Sequence, residues 1–138
     1  MGLDMYLTRK RYIGAHWPHR KVTGSIDIQI DGQPVEVEFD KVNTIEEHAG
    51  YWRKANAIHR WFVENCAGGV DNCQEVYVSK KQMQELLETV NQVLAASKLK
   101  KGKVYDGASL TAEATKEILE ENLQEKYNDC EFYYRASW

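Results

Sequence analysis

The sequence predicts an α+β fold in one domain, with a small antiparallel sheet packed against two or three helices. Three observations lead to this class. Residues 3–13 and 130–138 have the composition of strands, and a paired apolar pattern around Asp31-Gly32 is typical of a β-hairpin. Helical patterns with one apolar side occupy most of residues 45–126. A chain of 138 residues can bury one core without disulfides or metals, so residues 1–138 are expected to form a single domain.

The N-terminal strand and the hairpin make up the predicted sheet. In residues 3–13, Leu3, Met5 and Leu7 repeat at every second position, which is the period of a strand with one buried face. "GAHWPHR", residues 14–20, then breaks the pattern and is predicted to be a loop.

The hairpin is the clearest local signal. Asp31-Gly32 suits a type I′ turn, which needs positive φ at both central residues. With these two residues as the loop, Ile28 lies opposite Val35, and the pair before them, residues 26 and 37, is apolar as well. Pro34 has no N–H, so the second strand is expected to have a free edge at that position.

The first predicted helix covers residues 45–66 and ends at Gly68-Gly69. Its apolar side is expected to pack on the sheet. This core stripe consists of Tyr51, Ala55, Ile58, Phe62 and Cys66.

Two more helices follow a short strand near residue 77. Ser79 is a good N-cap, and Gln82 three residues later completes a capping box. A basic connection at 98–109 leads to a last helix, capped by Thr111 and ending near Lys126. Their apolar sides consist of Met83, Leu86, Leu87, Val90, Val93 and Leu94 in the second helix, and Ile118, Leu119 and Leu123 in the third.

Composition argues against several classes of protein. A formal net charge of −3 provides no overall attraction to nucleic acid. Cys66, Cys73 and Cys130 form no CxxC pair, which indicates reduced thiols in the cytosol rather than a zinc ribbon or a disulfide framework. No apolar run approaches the roughly 20 residues that span a bilayer. We therefore expect a cytoplasmic protein without membrane contact, metal or cofactor.

A second stripe on the predicted first helix carries mixed chemistry. It consists of Trp52, Asn56, His59 and Val63, which are spaced four, three and four residues apart and would share one helix face. Arg53 and Arg60 would lie further round toward solvent, and Lys54 and Trp61 on the opposite margin.

The side chains of this stripe suit a small anionic or nucleotide-like ligand. An indole offers a flat face, an amide offers donors and an acceptor, an imidazole moves protons near neutral pH, and a guanidinium binds phosphate or carboxylate. The predicted ligand-binding residues are Trp52, Arg53, Asn56, His59 and Arg60. A purely structural role competes with this hypothesis, because Trp52 could cap the core while Asn56 and His59 bond to a strand.

Other candidate sites carry weaker signals. His16 and His19 have ligand-like spacing, but Trp17-Pro18 between them indicates a turn with no further ligands nearby. Cys73 could pair with His59 as a nucleophile, although Asp71 beside it would suppress the thiolate.

Basic residues are dense between positions 9 and 21. Two interpretations stay open: an edge strand protected by its charges, or a nucleic-acid surface with interleaved aromatic residues. The acidic total disfavours the second. The residues concerned are Arg9, Lys10, Arg11, His19, Arg20 and Lys21, with Tyr12 and Trp17 among them.

Three segments resemble a family of small phage and prophage proteins of uncharacterised function. These are "MGLDMYL", "YWRKANAIHRWFV" and "DNCQEVYVS", and the resemblance covers roughly residues 1–97. It ends where "KLKKGKVYDGASLTAEATKEILEE" replaces the segment rich in Gly and Phe that the family carries. The resemblance implies a phage-borne accessory protein that works inside the host cell, of the kind that acts on host defence or regulation by binding.

Two functions follow as expectations. The first is a binding protein for a small anionic ligand or a host protein, without catalysis. The second is a small enzyme that uses His59 as general base and Arg53 or Arg60 to stabilise an anion. Self-association into a homo-oligomer stays open.

Overall fold

A four-stranded antiparallel sheet with helices on one face organises the chain. The computed structural model describes the backbone of residues 2–99 and 107–138, and the side chains of residues 2–96 and 111–138. In chain order the elements are β1 (Asp4–Tyr12), β2 (Ile28–Ile30), β3 (Gln33–Val35), β4 (Thr44–Arg53), α1 (Asn56–Cys66), β5 (Val76–Val78), α2 (Lys80–Leu99), α3 (Gly107–Asn122) and β6 (Cys130–Ser137). Single turns of 3-10 helix lie at Phe39–Lys41 and Glu125–Tyr127. The predicted α+β class is confirmed.

The strands of the main sheet lie in the order β4-β1-β6-β5, and each neighbouring pair is antiparallel. Side chains alternate between its two faces, so Met5 and Leu7 of β1 and Phe132 and Tyr134 of β6 point to the helices. These side chains are buried, and α1, α2 and α3 supply the other half of the core. The outward face of the sheet stays polar and aromatic.

The hairpin is formed in the predicted register but stands apart from this sheet. Ile28 pairs with Val35 across β2 and β3, and Asp31 and Gly32 have φ of 52° and 77°, as a type I′ turn requires. The pairing ends there, so the residues at 26 and 37 lie beyond the strands. The hairpin forms a sheet of its own, and β4 and β6 occupy the two places beside β1.

The predicted helix at 45–66 is wrong over its first half. Residues Thr44–Arg53 form β4, which pairs with β1 along its whole length, and the helix begins only at Asn56. Tyr51 is therefore an exposed strand residue rather than part of a helical core stripe, whereas Ile58 and Phe62 are buried as predicted. Lys54 turns the chain between the two elements with φ of 55°.

The second helix follows its sequence signals closely. Ser79 Oγ accepts the N–H of Gln82, and Gln82 Oε1 accepts the N–H of Ser79, so the predicted capping box is confirmed. Met83, Leu86 and Val90 are buried against the core, while Val93 is 39% exposed.

The third helix differs from its prediction at both ends. It begins at Gly107, before the predicted cap at Thr111, and ends at Asn122 rather than near Lys126. Leu119 is fully buried, in agreement with the predicted apolar side. The predicted basic connection at 98–109 includes residues 100–106, which lie outside the described residues.

Asn122 joins the end of α3 to two strands of the sheet. Its side chain is fully buried, and its Nδ2 donates to the carbonyls of Ala49 (3.1 Å) and Ile118 (2.8 Å). Its Oδ1 accepts a hydrogen bond from Arg9 Nη1 at 3.0 Å. Because every polar atom of this buried amide has a partner, it stabilises one position of α3 on the sheet.

The basic residues of β1 do not mark an edge strand, so that interpretation is wrong. β1 lies between β4 and β6, and its three cations form ion pairs with neighbouring segments: Arg9 with Glu47, Lys10 with Glu75 and Arg11 with Asp129. The hydrogen bond from Arg11 lowers the pKa of Asp129, and that from Arg9 lowers the pKa of Glu47. These charges are therefore compensated within the chain rather than free to attract phosphate groups.

We expect Asn122→Ala to destabilise the protein much more than Asn128→Ala. The first change leaves the Ala49 carbonyl and the Arg9 guanidinium without their buried partner, at a cost of roughly 2–3 kcal/mol, or about 10 °C in melting temperature. Asn128 makes one exposed hydrogen bond, from Lys80 Nζ, and its loss should cost under about 0.5 kcal/mol. Thermal melting of both variants measures the difference, and equal shifts would contradict a structural role for the buried amide.

Candidate functional site

The predicted ligand-binding residues do not share one face, because the helix that would align them begins too late. Trp52 lies on β4 and is 4% exposed. Its Nε1 donates to Thr115 Oγ1 at 2.9 Å, and its ring packs edge-on against Phe62. Trp52 is therefore a core residue whose polar atom is satisfied, which is the structural alternative that the sequence left open.

The remaining four residues are distributed over different parts of the surface. Arg53 follows the inward-facing Trp52 on β4 and so points to the outward face of the sheet, away from the helices. Arg60 is exposed on α1. Asn56 lies at the first turn of α1, and His59 lies one turn later on the side that faces β6. Their prediction as a single binding surface is wrong in its geometry.

His59 is the centre of a hydrogen-bonded chain that we call the His59 network: His59, Asp71, Tyr134 and Trp138. Asp71 Oδ2 lies 3.0 Å from His59 Nε2, and Tyr134 Oη lies 2.6 Å from His59 Nδ1. A carboxylate only accepts, so Nε2 carries a proton; in the neutral ring Nδ1 then accepts the Tyr134 hydroxyl. Trp138 Nε1 donates to the second oxygen of Asp71 at 3.0 Å.

Burial determines the state of Tyr134. Its ring is 3% exposed and lies parallel to Phe62, with 4.0 Å between ring centroids. Desolvation, reinforced by the negative charge of Asp71, raises the pKa of the Tyr134 phenol far above its ordinary value. The hydroxyl therefore keeps its proton near neutral pH and acts there neither as a nucleophile nor as a proton source.

The cavity beside the His59 network is too small for a substrate. Its volume is about 10 Å³, the space of a single water molecule. Cys73, in a left-handed conformation with φ of 60°, shares its lining with His59 and Val63. Both nitrogens of His59 are already bonded, so neither is free to activate the Cys73 thiol. The residue types are those of a catalytic relay, but the geometry is that of a structural hydrogen-bond network that joins α1 to β6 and to Asp71.

The other cysteines offer no reactive thiol either. Cys66 and Cys130 are free thiols, and burial raises the pKa of Cys66 to about 11. At neutral pH this thiol is almost wholly protonated and a poor nucleophile.

A larger opening lies on the opposite side of α1, and we call it the interhelical groove. It has a volume of about 490 Å³, within the range of small-molecule sites. Its walls are mostly apolar and come from α1, α2 and α3; the lining residues are Lys54, Ala55, Asn56, Ala57, Ile58, Trp61, Leu86, Thr89, Val90, Val93, Thr111 and Ala112. Lys54, Asn56 and Trp61, which the sequence singled out, meet here.

One end of the interhelical groove is positively polarised. The first N–H groups of a helix have no acceptor within the helix, and Ala55 at the N-cap of α1 supplies none from its side chain. No acidic residue lies in the first turn. These N–H groups and the helix dipole lie at one end of an apolar groove that Lys54 also lines, an arrangement that favours an anion.

The apolar wall that α2 contributes to the groove was predicted from the sequence only as core. Leu86, Val90 and Val93 belong to one apolar stripe of α2, and nothing in that pattern shows that Val93 extends past the packed region. Tyr134 and Trp138 were also missed. The two-residue alternation of β6 could have indicated an inward-facing Tyr134, but not its partner on α1.

Features that would indicate a metal or membrane protein are not found in the described part of the chain. Among the side chains of residues 2–96 and 111–138, no three of His, Cys, Asp or Glu lie close enough to hold a metal ion. The rings of His16 and His19 both lie near that of Trp17, with centroids 5.0 and 5.8 Å from it. None of the helices in residues 2–99 and 107–138 is both long and apolar enough to cross a bilayer.

Comparison of the chain with protein-family models, with curated proteins and with solved structures gave no match.

We expect Tyr134→Phe to destabilise the fold by roughly 1–3 kcal/mol, because it leaves His59 Nδ1 buried without a donor. Tyr133→Phe is the matched control: it is the same change on the next residue of β6, where the hydroxyl bonds to exposed Glu131. The control change should lower the free energy of unfolding by less than about 0.5 kcal/mol. Urea denaturation of both variants provides the comparison, and a Tyr134→Phe protein as stable as the control would show that the His59 network adds nothing to the fold.

Proposed function

We propose that the protein binds a small amphipathic anion in the interhelical groove and performs no chemistry on it. The observation that carries this proposal is the coincidence of apolar walls with the uncapped N-terminus of α1 and Lys54. The carboxylate of such a ligand would lie at the first turn of α1, and its apolar body would lie along Ile58 and Trp61.

The lining of the groove supports an organic acid rather than a nucleotide. A nucleotide would bring a sugar and phosphates that need several polar partners, whereas the walls from α2 offer mainly Leu86, Val90 and Val93. An aliphatic or aromatic carboxylic acid needs one anion site and apolar surface. Trp61 supplies a flat ring at the wall, and the Asn56 amide supplies donors beside the anion.

The enzymatic alternative has less support. His59 would act as general base with Arg53 or Arg60 as anion stabiliser, but its two ring nitrogens are occupied by Asp71 and Tyr134. Arg53 points to the other face of the sheet. The adjacent cavity admits about one water molecule.

The resemblance of residues 1–97 to phage and prophage proteins supports a cellular context for this binding function. A phage-borne accessory protein that works in the host cytoplasm could sequester a host metabolite or present it to a host protein. Native mass spectrometry of the protein purified from its producing cells would reveal a retained organic acid directly.

We expect octanoate to bind more tightly than octanol or octylamine, which share its apolar body and differ in the head group. Lys54→Gln should weaken octanoate binding by about threefold to fivefold and leave octanol binding unchanged, because only the anion interacts with the ammonium group. Isothermal titration calorimetry with the three ligands measures both effects.

A pair of valine variants tests the apolar walls. Val93→Gln should weaken the binding of all three ligands by roughly fivefold, because it replaces an apolar side chain in the groove wall by a polar one. Val70→Gln is the control, since Val70 is also an exposed valine but lies outside the groove. The proposal is wrong if the three head groups bind alike, or if the two valine variants behave alike.

A further inference from the structure

A second surface, independent of the interhelical groove, lies on the segment that connects β1 to β4. The two strands continue to pair up to the bond from Ala15 N–H to the Val42 carbonyl, and residues 16–41 between them form what we call the arm. Among the described residues, the apolar core takes no side chain between Leu7 and Ala49. The arm therefore makes no contribution to the core on which the rest of the protein depends.

The hairpin in the arm is too small to be stabilised by its own contacts. β2 and β3 have three residues each, and isolated two-stranded hairpins are marginal in water unless a further strand or a helix covers them. Ile28, Ile30 and Val35 lie on one face and are 39%, 58% and 38% exposed. Three exposed apolar side chains on an uncovered hairpin are typical of an interaction surface.

Only one of its two edges can accept another strand. In a two-residue hairpin the pair that flanks the turn, Ile30 and Gln33, exchanges hydrogen bonds, so the next pair points its backbone groups outward. That pair is Gln29 and Pro34. Pro34 has no N–H, which blocks the edge of β3, whereas Gln29 offers both an N–H and a carbonyl on the edge of β2.

The charge of the hairpin indicates which kind of strand could pair with the edge of β2. Residues 24–40 contain no Lys, Arg or His and carry five carboxylates: Asp27, Asp31, Glu36, Glu38 and Asp40. A second copy of the β2–β3 hairpin would bring like charges together, which is unfavourable across paired strands. A segment with basic residues would place opposite charges beside the carboxylates instead.

We propose that the edge of β2 binds an extended segment of another protein, in which apolar residues alternate with Lys or Arg. The incoming backbone pairs with Gln29, its apolar side chains cover Ile28 and Ile30, and its basic side chains meet Asp27 and Asp31. This interaction adds the third strand that the hairpin needs. It does not depend on the ligand proposed for the interhelical groove.

Labelled strand peptides of eight residues, with Ile alternating with Lys, Glu or Ser, provide the test by fluorescence anisotropy. We expect the Lys peptide to bind and the Glu peptide not to bind. N-methylation of alternate amides in the Lys peptide should weaken binding about tenfold, because it removes the strand hydrogen bonds and keeps the charge. Tight binding of the N-methylated peptide would overturn the proposal in favour of plain charge attraction.

Variants of the protein locate the binding site. The triple change Asp27→Asn, Asp31→Asn and Glu36→Gln should weaken the Lys peptide about tenfold, since each opposite-charge pair across strands contributes modestly. Glu64→Gln, Glu113→Gln and Glu120→Gln together remove as many exposed carboxylates from α1 and α3 and form the control, with an expected change under twofold.

Three further results would overturn the proposal. One is the absence of saturable binding of the Lys peptide to the wild-type protein. Another is an equal loss of binding in the two triple variants. The third is a wild-type dimer in analytical ultracentrifugation that Ile30→Gln dissociates, which would assign the surface to a second copy. Because the arm adds nothing to the core, the melting temperature of the triple arm variant should equal that of the wild type.

Discussion

The stack of Phe62 on Tyr134 determines where α1 lies on the sheet, and both candidate sites depend on that position. Phe62 is the central inward residue of α1, and the edges of Trp52 and Trp61 close around it. With the helix held there, His59 reaches Tyr134 and Asp71 on one flank, while Ile58 and Trp61 form a wall of the groove on the other. A small rotation of α1 would break the hydrogen bonds on one side and close the opening on the other.

The two flanks of α1 differ in whether their polar groups have hydrogen-bond partners within the protein. On the His59 side every nitrogen and the phenol have partners at hydrogen-bonding distance, so the site is complete without a ligand. On the groove side the first N–H groups of α1 have no side-chain cap, and the neighbouring walls are apolar. A site whose polar groups all have partners within the protein is typical of a structural role, and a site with unpaired polar groups is typical of ligand binding. The residue types alone would suggest the reverse, because the His59 network has the side chains of a catalytic site and the groove is mostly apolar.

The sequence predicted correctly those features that depend on interactions between residues close together in the chain. The Asp31-Gly32 turn and the Ser79–Gln82 capping box involve residues within a few positions of each other, and both are present as expected. β4 could not be predicted in this way. Its residues are mostly exposed and lack alternation, and the accidental spacing of Tyr51, Ala55 and Ile58 mimics a helix. Pairing with β1 determines its conformation, and that partner lies some forty residues away. The same error misplaced the predicted site, because Trp52 and His59 belong to different elements.

The strand order has a consequence for the way the chain acquires its structure. β6, at Cys130–Ser137, lies between β1 and β5, so the sheet cannot be completed before these residues have been synthesised. A nascent chain would expose the inward faces of β1 and α1 until then, and its sheet contacts join segments far apart in sequence. Such topologies fold slowly and leave apolar surface open to chaperones and proteases in the interval. Premature termination before residue 130 would therefore yield a chain that is degraded rather than a shorter functional protein.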